Sequence, residues 1–192
     1  MTARKQGKKP RVSGVQDEQG KKSARKSIPV RVRPIKASDC NFIRDLASRS
    51  AGYTVPTPYV LWMLSTFQRE FCAVANARGY GNLGYLLVLP VGVRTDVVFV
   101  WQLACTFRGQ RLRAPDALAA HLKRTARKYG VRRICFTSRP NSPQGRFVRS
   151  LAERVFHVQP ALGKSLPGQI SGESEYTLTL PQAGLRNRQP KR

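Results

Sequence analysis

Acidic residues are scarce in this chain. It has 192 residues with 35 Lys and Arg against only 10 Asp and Glu, which gives a formal net charge of +25 and a pI near 11.3. An excess of this size favours polyanionic partners, with nucleic acid first and an anionic membrane surface second. A charge that only keeps the protein in solution is the alternative. The same scarcity argues against a small substrate with two positive charges, because such a substrate needs local carboxylates.

Metal-binding and membrane-spanning patterns are missing as well. There are two histidines, and the four cysteines stand at positions 40, 72, 105 and 135 with no Cys-x-x-Cys pair. We therefore expect no metal site and interpret Cys72, Cys105 and Cys135 as small apolar residues of predicted strands. The sequence has no run of eighteen apolar residues and no apolar stretch behind its N-terminus. The expectation is a protein without a signal peptide or membrane span, in the reducing cytoplasm.

Both ends of the chain lack large apolar side chains. Residues 1–28 and 182–192 are rich in Lys, Arg, Gly, Ser and Gln. Such segments bury too little apolar surface to offset the loss of chain entropy, so we predict two disordered basic ends. Residues 29–181 are long enough for one domain. No internal repeat is visible in them.

The middle of the chain alternates between strand and helix patterns. Short apolar runs predict strands at 29–35, 71–75, 83–91, 97–105, 131–137 and 175–180. Helical spacing predicts four helices, one capped by Ser38 and Asp39 and the others at 58–71, 115–129 and 144–156. In the third of these, Leu118, Leu122 and Tyr129 should face inward. The two longest strands should pair as a hairpin, and the whole order is that of a mixed α/β sheet.

Two segments carry a resemblance to a known family. The run Phe99-Val100-Trp101-Gln102-Leu103-Ala104, followed by Arg108-Gly109-Gln110 and Leu112, resembles FVWQVAV…RGQGLG of the diaminobutyrate acetyltransferases. Tyr59, Leu64, Thr66 and Cys72-Ala73-Val74-Ala75 resemble that family's YCxLLxCTHFxDTCAVA. A weaker third match joins Thr137, Pro140-Asn141 and Phe147 to TxxPxN…LF. The chain is therefore similar to GNAT-type N-acetyltransferases from about Val30 to Phe156; an unrelated α/β domain with chance matches is the alternative.

The resemblance implies a single GNAT-like α/β domain that uses acetyl-CoA. In that family the end of the fourth strand aligns the pantetheine arm, and the next loop holds the pyrophosphate at a helix N-terminus. Carried over residue by residue, the candidate cofactor-binding set is Leu103, Ala104, Cys105, Arg108, Gly109, Gln110, Arg111, Leu112 and Arg113. Two further aromatic residues match the family, Tyr59 and Trp101. They are candidates for the acceptor pocket, with large structural aromatics as the alternative.

Three departures from the family pattern bear on activity. Arg111 and Arg113 stand where the family has glycines, which let phosphate oxygens approach a bare backbone. Their guanidinium groups would instead bind phosphate through side chains. The family's glutamate of the fifth strand falls on Cys135. We therefore expect an acceptor other than diaminobutyrate and assign no catalytic residue from the sequence.

A cluster of cations supports a second hypothesis. Within ten residues the chain carries Arg124, Arg127, Lys128, Arg132 and Arg133, which we term the basic corner. Such a cluster is a candidate surface for a phosphate backbone, although no motif for reading base sequence accompanies it. The sequence thus leaves two functions open. One is acetyl transfer from acetyl-CoA to an amine, and the other is a catalytically degenerate GNAT fold that binds nucleic acid or protein.

Overall fold

A computed structural model describes residues 28–92, 94–163 and 173–181. The two predicted disordered ends, residues 1–28 and 182–192, lie outside the described residues, except for Ile28. The strands are β1 Arg31–Pro34, β2 Ala73–Ala77, β3 Gly81–Val91, β4 Arg94–Cys105, β5 Arg133–Ser138, β6 Ala161–Leu162 and β7 Ser174–Thr179. The helices are α1 Cys40–Ser48, α2 Pro58–Phe67, α3 Phe107–Arg111, α4 Ala114–Lys128 and α5 Pro143–Phe156, with a 3-10 turn at Ala37–Asp39 before α1.

The seven strands form one mixed sheet in the order β1-β2-β3-β4-β5-β7-β6. Neighbouring strands are antiparallel except β4 and β5, which run parallel. The predicted α/β class with one mixed central sheet is confirmed, and so is the hairpin of β3 and β4. Two short elements, α3 and β6, were not predicted.

The core lies between the sheet and the helices. The middle of β3, from Leu83 to Val88, is buried at every residue, which explains its continuous apolar run. From α4, Leu118, Leu122 and Ala126 are buried toward the sheet. Helix α5 packs beside α4 and contributes Leu151 and Phe156 to the same core.

Two local predictions need correction. Asp39 is the N-cap residue of α1, as predicted, but its side chain makes no cap hydrogen bond to that helix. Its carboxylate instead accepts two hydrogen bonds from Arg33, each 2.7 Å long, and one from the backbone N–H of Lys36. Burial would raise the pKa of Asp39, but these donors outweigh it and hold the pKa below its ordinary value. Tyr129 does not face inward either. It follows the last turn of α4, is exposed and packs its ring against Phe71. The reason is that the buried face of α4 ends at Ala126.

Candidate functional site

The strands β4 and β5 diverge halfway along their length. They pair only where Val97–Val100 run beside Arg133–Phe136. Beyond that point β4 continues to Cys105 along β3, while β5 continues to Ser138 along β7. The result is a V-shaped gap in the sheet, which we call the notch, between residues 101–105 of β4 and 137–138 of β5.

Backbone groups of β4 point into the notch. A β-bulge precedes them, because Leu87 pairs with Gln102 and Val88 with Val100, which leaves Trp101 without a partner on β3. Beyond the bulge, the N–H of Thr106 donates to the carbonyl of Leu83. In an antiparallel ladder the alternate residues then bond to β3, so the N–H and C=O of Leu103 and Cys105 face the notch.

Two spaces adjoin these backbone groups, and Tyr53 and Leu103 line both. A cavity of about 100 Å³ lies at the notch and is lined by Trp101, by Thr137 and by apolar side chains of α4 and α5. A wider cleft of about 620 Å³ opens at the end of β4. Its walls come from the end of α1 and the segment after it, from α3 and from the start of α5, with Leu46, Ser50, Phe107, Gln110, Gln144 and Phe147 among the lining residues. The site can thus take a long, thin molecule whose wider end lies at α3.

Tyr53 links the segment after α1 to β4 at the notch. Its hydroxyl donates to the carbonyl of Leu103 at 2.5 Å, and burial raises the pKa of this tyrosine. Next to it, the buried Gln102 donates to the carbonyl of Thr54 and accepts from the hydroxyl of Tyr85. This network fixes the segment after α1 against the sheet. Sequence reasoning missed Tyr53, which stands alone between glycine and threonine outside any periodic pattern.

The predicted phosphate loop folds as a short helix. Thr106 caps α3 by accepting a hydrogen bond from the N–H of Gly109. The N–H groups of Gln110, Leu112 and Arg113 also donate to carbonyls within this segment. A backbone cradle for phosphate needs free N–H groups, and in this conformation these four are occupied. The expected loop is therefore corrected to a helix.

Gly109 holds α3 against the sheet. A Cβ atom added there would lie 2.2 Å from the carbonyl oxygen of Leu83, closer than any real contact. The glycine that the resemblance shares at this position therefore serves packing of α3 on β3.

The arginines of the candidate cofactor set do not line the cleft. Arg108 lies over the ring of Tyr80 at 5.0 Å, and Arg111 lies over that of Phe107 at 5.5 Å. Arg113 donates to Asp116 at 2.9 Å, and Leu112 is half-buried against the core. From the same set, the residues that line the cleft are Leu103, Ala104, Cys105 and Gln110.

The two candidate acceptor residues lie in different environments. Trp101 is half-buried and lines the cavity in the notch. Tyr59 is 66% exposed on α2, where it stacks on Trp62 with ring centroids 5.8 Å apart. Only Trp101 of the pair is brought to the notch.

Two of the five cations of the basic corner form ion pairs with carboxylates. Lys128 lies 4.0 Å from Glu70, and Arg133 lies 3.8 Å from Asp96. Arg124, Arg127 and Arg132 are exposed and have no carboxylate within 4.0 Å in the described part of the chain. These three form the unpaired part of the corner.

The cysteine thiols at the site are protonated at neutral pH. Burial raises the pKa of Cys105 to about 12, so this residue of the cleft is not a thiolate nucleophile. Within 28–92, 94–163 and 173–181 there is no group of three or more His, Cys, Asp or Glu that could hold a metal ion. None of the helices in those ranges is long and apolar enough to cross a membrane.

A known protein resembles this chain in amino-acid sequence over most of its length. The chain is 26% identical over 153 residues to an L-2,4-diaminobutyric acid acetyltransferase of Bordetella parapertussis, which covers 78% of this chain and 82% of the relative. No protein-family model matches the sequence.

Solved structures share the fold at low sequence identity. A diaminobutyrate acetyltransferase from Paenibacillus lautus, in complex with L-2,4-diaminobutyric acid and coenzyme A, is 18% identical, with a TM-score of 0.65 over 79% of this chain and 95% of that one. The ribosomal-protein-S18-alanine N-acetyltransferase from Escherichia coli is 15% identical, with a TM-score of 0.61 over 82% of this chain and 98% of that one.

Proposed function

We propose that the chain is a GNAT-type acetyltransferase that transfers the acetyl group of acetyl-CoA to an amine, in keeping with its likeness to a diaminobutyrate acetyltransferase in sequence and to GNAT acetyltransferases in fold. The observation that carries the proposal is the notch between β4 and β5, with the backbone groups of Leu103 and Cys105 directed into it. An extended amide chain can add to such a strand edge through strand-like hydrogen bonds, although the carbonyl of Leu103 already accepts one from Tyr53. The pantetheine arm of acetyl-CoA is a chain of this kind.

The cleft suits the rest of the donor molecule. It continues from the notch to α3, where Phe107 is 75% exposed at its wall. An exposed aromatic ring at a cleft offers a stacking surface for a base. Arg108 and Arg111 lie on the same short helix as Phe107 but do not line the cleft. Because both are stacked on aromatic rings, we expect their positive potential, more than direct contacts, to attract the anionic end of the donor.

The reaction itself moves an acetyl group from a thioester sulfur to an amine nitrogen. A C–N bond forms as the thioester C–S bond breaks. An ammonium acceptor loses one proton to solvent before its nitrogen attacks, and the second proton that the nitrogen loses balances the one that the leaving thiolate takes up. On this chain, Tyr53 and Trp101 flank the notch where the thioester would lie. The hydroxyl of Tyr53 already donates to Leu103, and it would have to turn from that carbonyl to give its proton to a leaving thiolate.

Calorimetric titration with acetyl-CoA tests the proposal. The unaltered protein should bind it, and Ala51→Trp should weaken binding by about tenfold or more, since Ala51 is exposed and lines the cleft. Ala37→Trp is the matched control, because Ala37 is equally exposed but lies at the 3-10 turn before α1. We expect the control to bind as the unaltered protein does. No heat and no thermal shift at millimolar acetyl-CoA would overturn the function.

A second candidate function rests on the exposed arginines of the basic corner. Arg124, Arg127 and Arg132 have no carboxylate partner among the described residues. We infer from this exposed, unpaired charge a GNAT fold that binds polyanions. The two functions are separable, since one concerns the cleft and the other the surface of α4 and the turn that follows it.

A further inference from the structure

Most carboxylates of the described chain are already paired with cations. Ion pairs within 4.0 Å engage Asp39, Asp45, Glu70, Asp96 and Asp116. The described carboxylates outside these pairs are Glu153, Glu173 and Glu175. Glu153 is exposed on α5, and Glu173 precedes β7. Glu175 is different because it lies within the sheet, on the strand next to β5.

The strand register brings Glu175 to the notch. Glu175 of β7 pairs with Thr137 of β5, and Thr137 lines the cavity at the notch. Directly paired residues of antiparallel strands lie about 4.5–5.5 Å apart at Cα. Thr137 is the first residue of β5 beyond the last pair with β4. The carboxylate is therefore carried one strand away from the apex of the notch.

The side chain of Glu175 projects to the more open face of the sheet. Residues that alternate with it, Phe136 and Tyr176, are buried on the face covered by α4 and α5. On the other face Cys135, Thr137 and Glu175 are only half-buried. An acceptor could reach the notch from this face without displacing a helix of the core.

Glu175 has no strong polar partner among the described residues. Burial and, after it, the Glu175 carboxylate raise the pKa of the Cys135 thiol, while the sulfur of Cys135 lies 3.6 Å from the hydroxyl of Thr177. A thiol is a poor hydrogen-bond donor, and an ammonium group binds a carboxylate more strongly. The cation on the same face, Arg133, pairs with Asp96 at 3.8 Å. Within the described residues no Lys or Arg nitrogen lies within 4.0 Å of Glu175.

We propose that Glu175 binds the ammonium group of the acceptor and positions it at the notch. This inference rests on the proposed function and narrows it to primary amines that are cationic at neutral pH. The resembling family has its strand-five glutamate at the position of Cys135, and Glu175 lies diagonally across from that position on β7. The chain would thus keep one carboxylate at this place while presenting it from the neighbouring strand.

Steady-state kinetics with two probe amines tests the inference. The probes are n-propylamine, which is protonated at neutral pH, and aniline, which is neutral. Glu175→Gln should raise KM for n-propylamine by about tenfold or more, because a charged hydrogen bond is lost. It should leave transfer to aniline and the Kd for acetyl-CoA unchanged. Glu153→Gln removes the same charge from the exposed face of α5 and should change none of these values.

A rescue variant guards against an indirect effect of the substitution. In the Glu175→Gln background, Cys135→Glu returns a carboxylate to the same patch and should recover most of the lost KM. Equal KM values for n-propylamine in the unaltered protein and Glu175→Gln would overturn the inference while leaving the proposed function standing. Equal losses with both amines would also overturn it, since they would indicate a structural role. No acetyl transfer by the unaltered protein to either amine would overturn the proposed function and this inference with it.

Discussion

Arg113 adopts a backbone conformation that few arginines tolerate. Its φ of 60° and ψ of 32° lie in the left-handed region. This conformation is unfavourable by about 1 kcal/mol or more for a residue with a side chain, whereas glycine adopts it readily. The residue follows Leu112, the C-cap of α3, and is itself the N-cap of α4, so the turn between the two helices depends on it. Glycine stands there in the resembling family. Arg111, the other position where that family has glycine, is an ordinary helical residue of α3.

The two positions predict opposite responses to glycine. At position 113, Arg113→Gly should be more stable than Arg113→Ala by about 1 kcal/mol, because both lose the ion pair with Asp116 and only the alanine is strained. At position 111 the order should reverse, with Arg111→Ala more stable than Arg111→Gly by up to about 1 kcal/mol. Urea unfolding of the four variants measures both differences. If alanine were more stable than glycine at position 113 as well, the left-handed conformation of Arg113 would be contradicted.

At the scale of elements, the packing of α3 on β3 depends on one glycine. Gly109→Ala would drive a Cβ atom into the backbone of Leu83, and backbone cannot yield as a flexible side chain can. We expect a loss of about 1–3 kcal/mol in the free energy of unfolding, the usual range for overpacking. Gln110→Ala is the control, because Gln110 is exposed on the same helix and should lose little. Equal thermal stability of the two variants would show that α3 is free to move off the sheet.

The elements differ in how far local sequence determines them. The strands β3 and β4 and the helix α4 were predictable, since long apolar runs and helical spacing report burial directly. The helix α3 has no apolar stripe, and it forms because Thr106 caps it and Gly109 fits against Leu83. The notch depends on where pairing of β4 and β5 stops. The place of Glu175 likewise depends on the register of β7, and neither can be derived from local pattern.

At the scale of the whole molecule, the chain has a net charge of +25, and the acetyl-CoA that we propose as its donor is itself anionic. A general excess of charge attracts any polyanion without a defined site. A defined nucleic-acid site differs from such a general excess because its affinity depends on cations at particular positions. Only the cations that contact phosphates contribute to counterion release on binding. The unpaired arginines of the basic corner allow these two cases to be separated.

Binding to a mixed-sequence single-stranded oligonucleotide, titrated over a range of salt, separates them. The triple variant Arg124→Gln, Arg127→Gln and Arg132→Gln should make the slope of log K against log salt shallower by about 0.7 for each lost contact to a single strand. Its control is Arg31→Gln, Arg44→Gln and Arg78→Gln, which removes the same charge from exposed positions elsewhere. If the corner is the site, only the first triple changes the slope. Equal changes in both would show that the net charge alone attracts nucleic acid, and no binding by the unaltered protein would exclude the second candidate function.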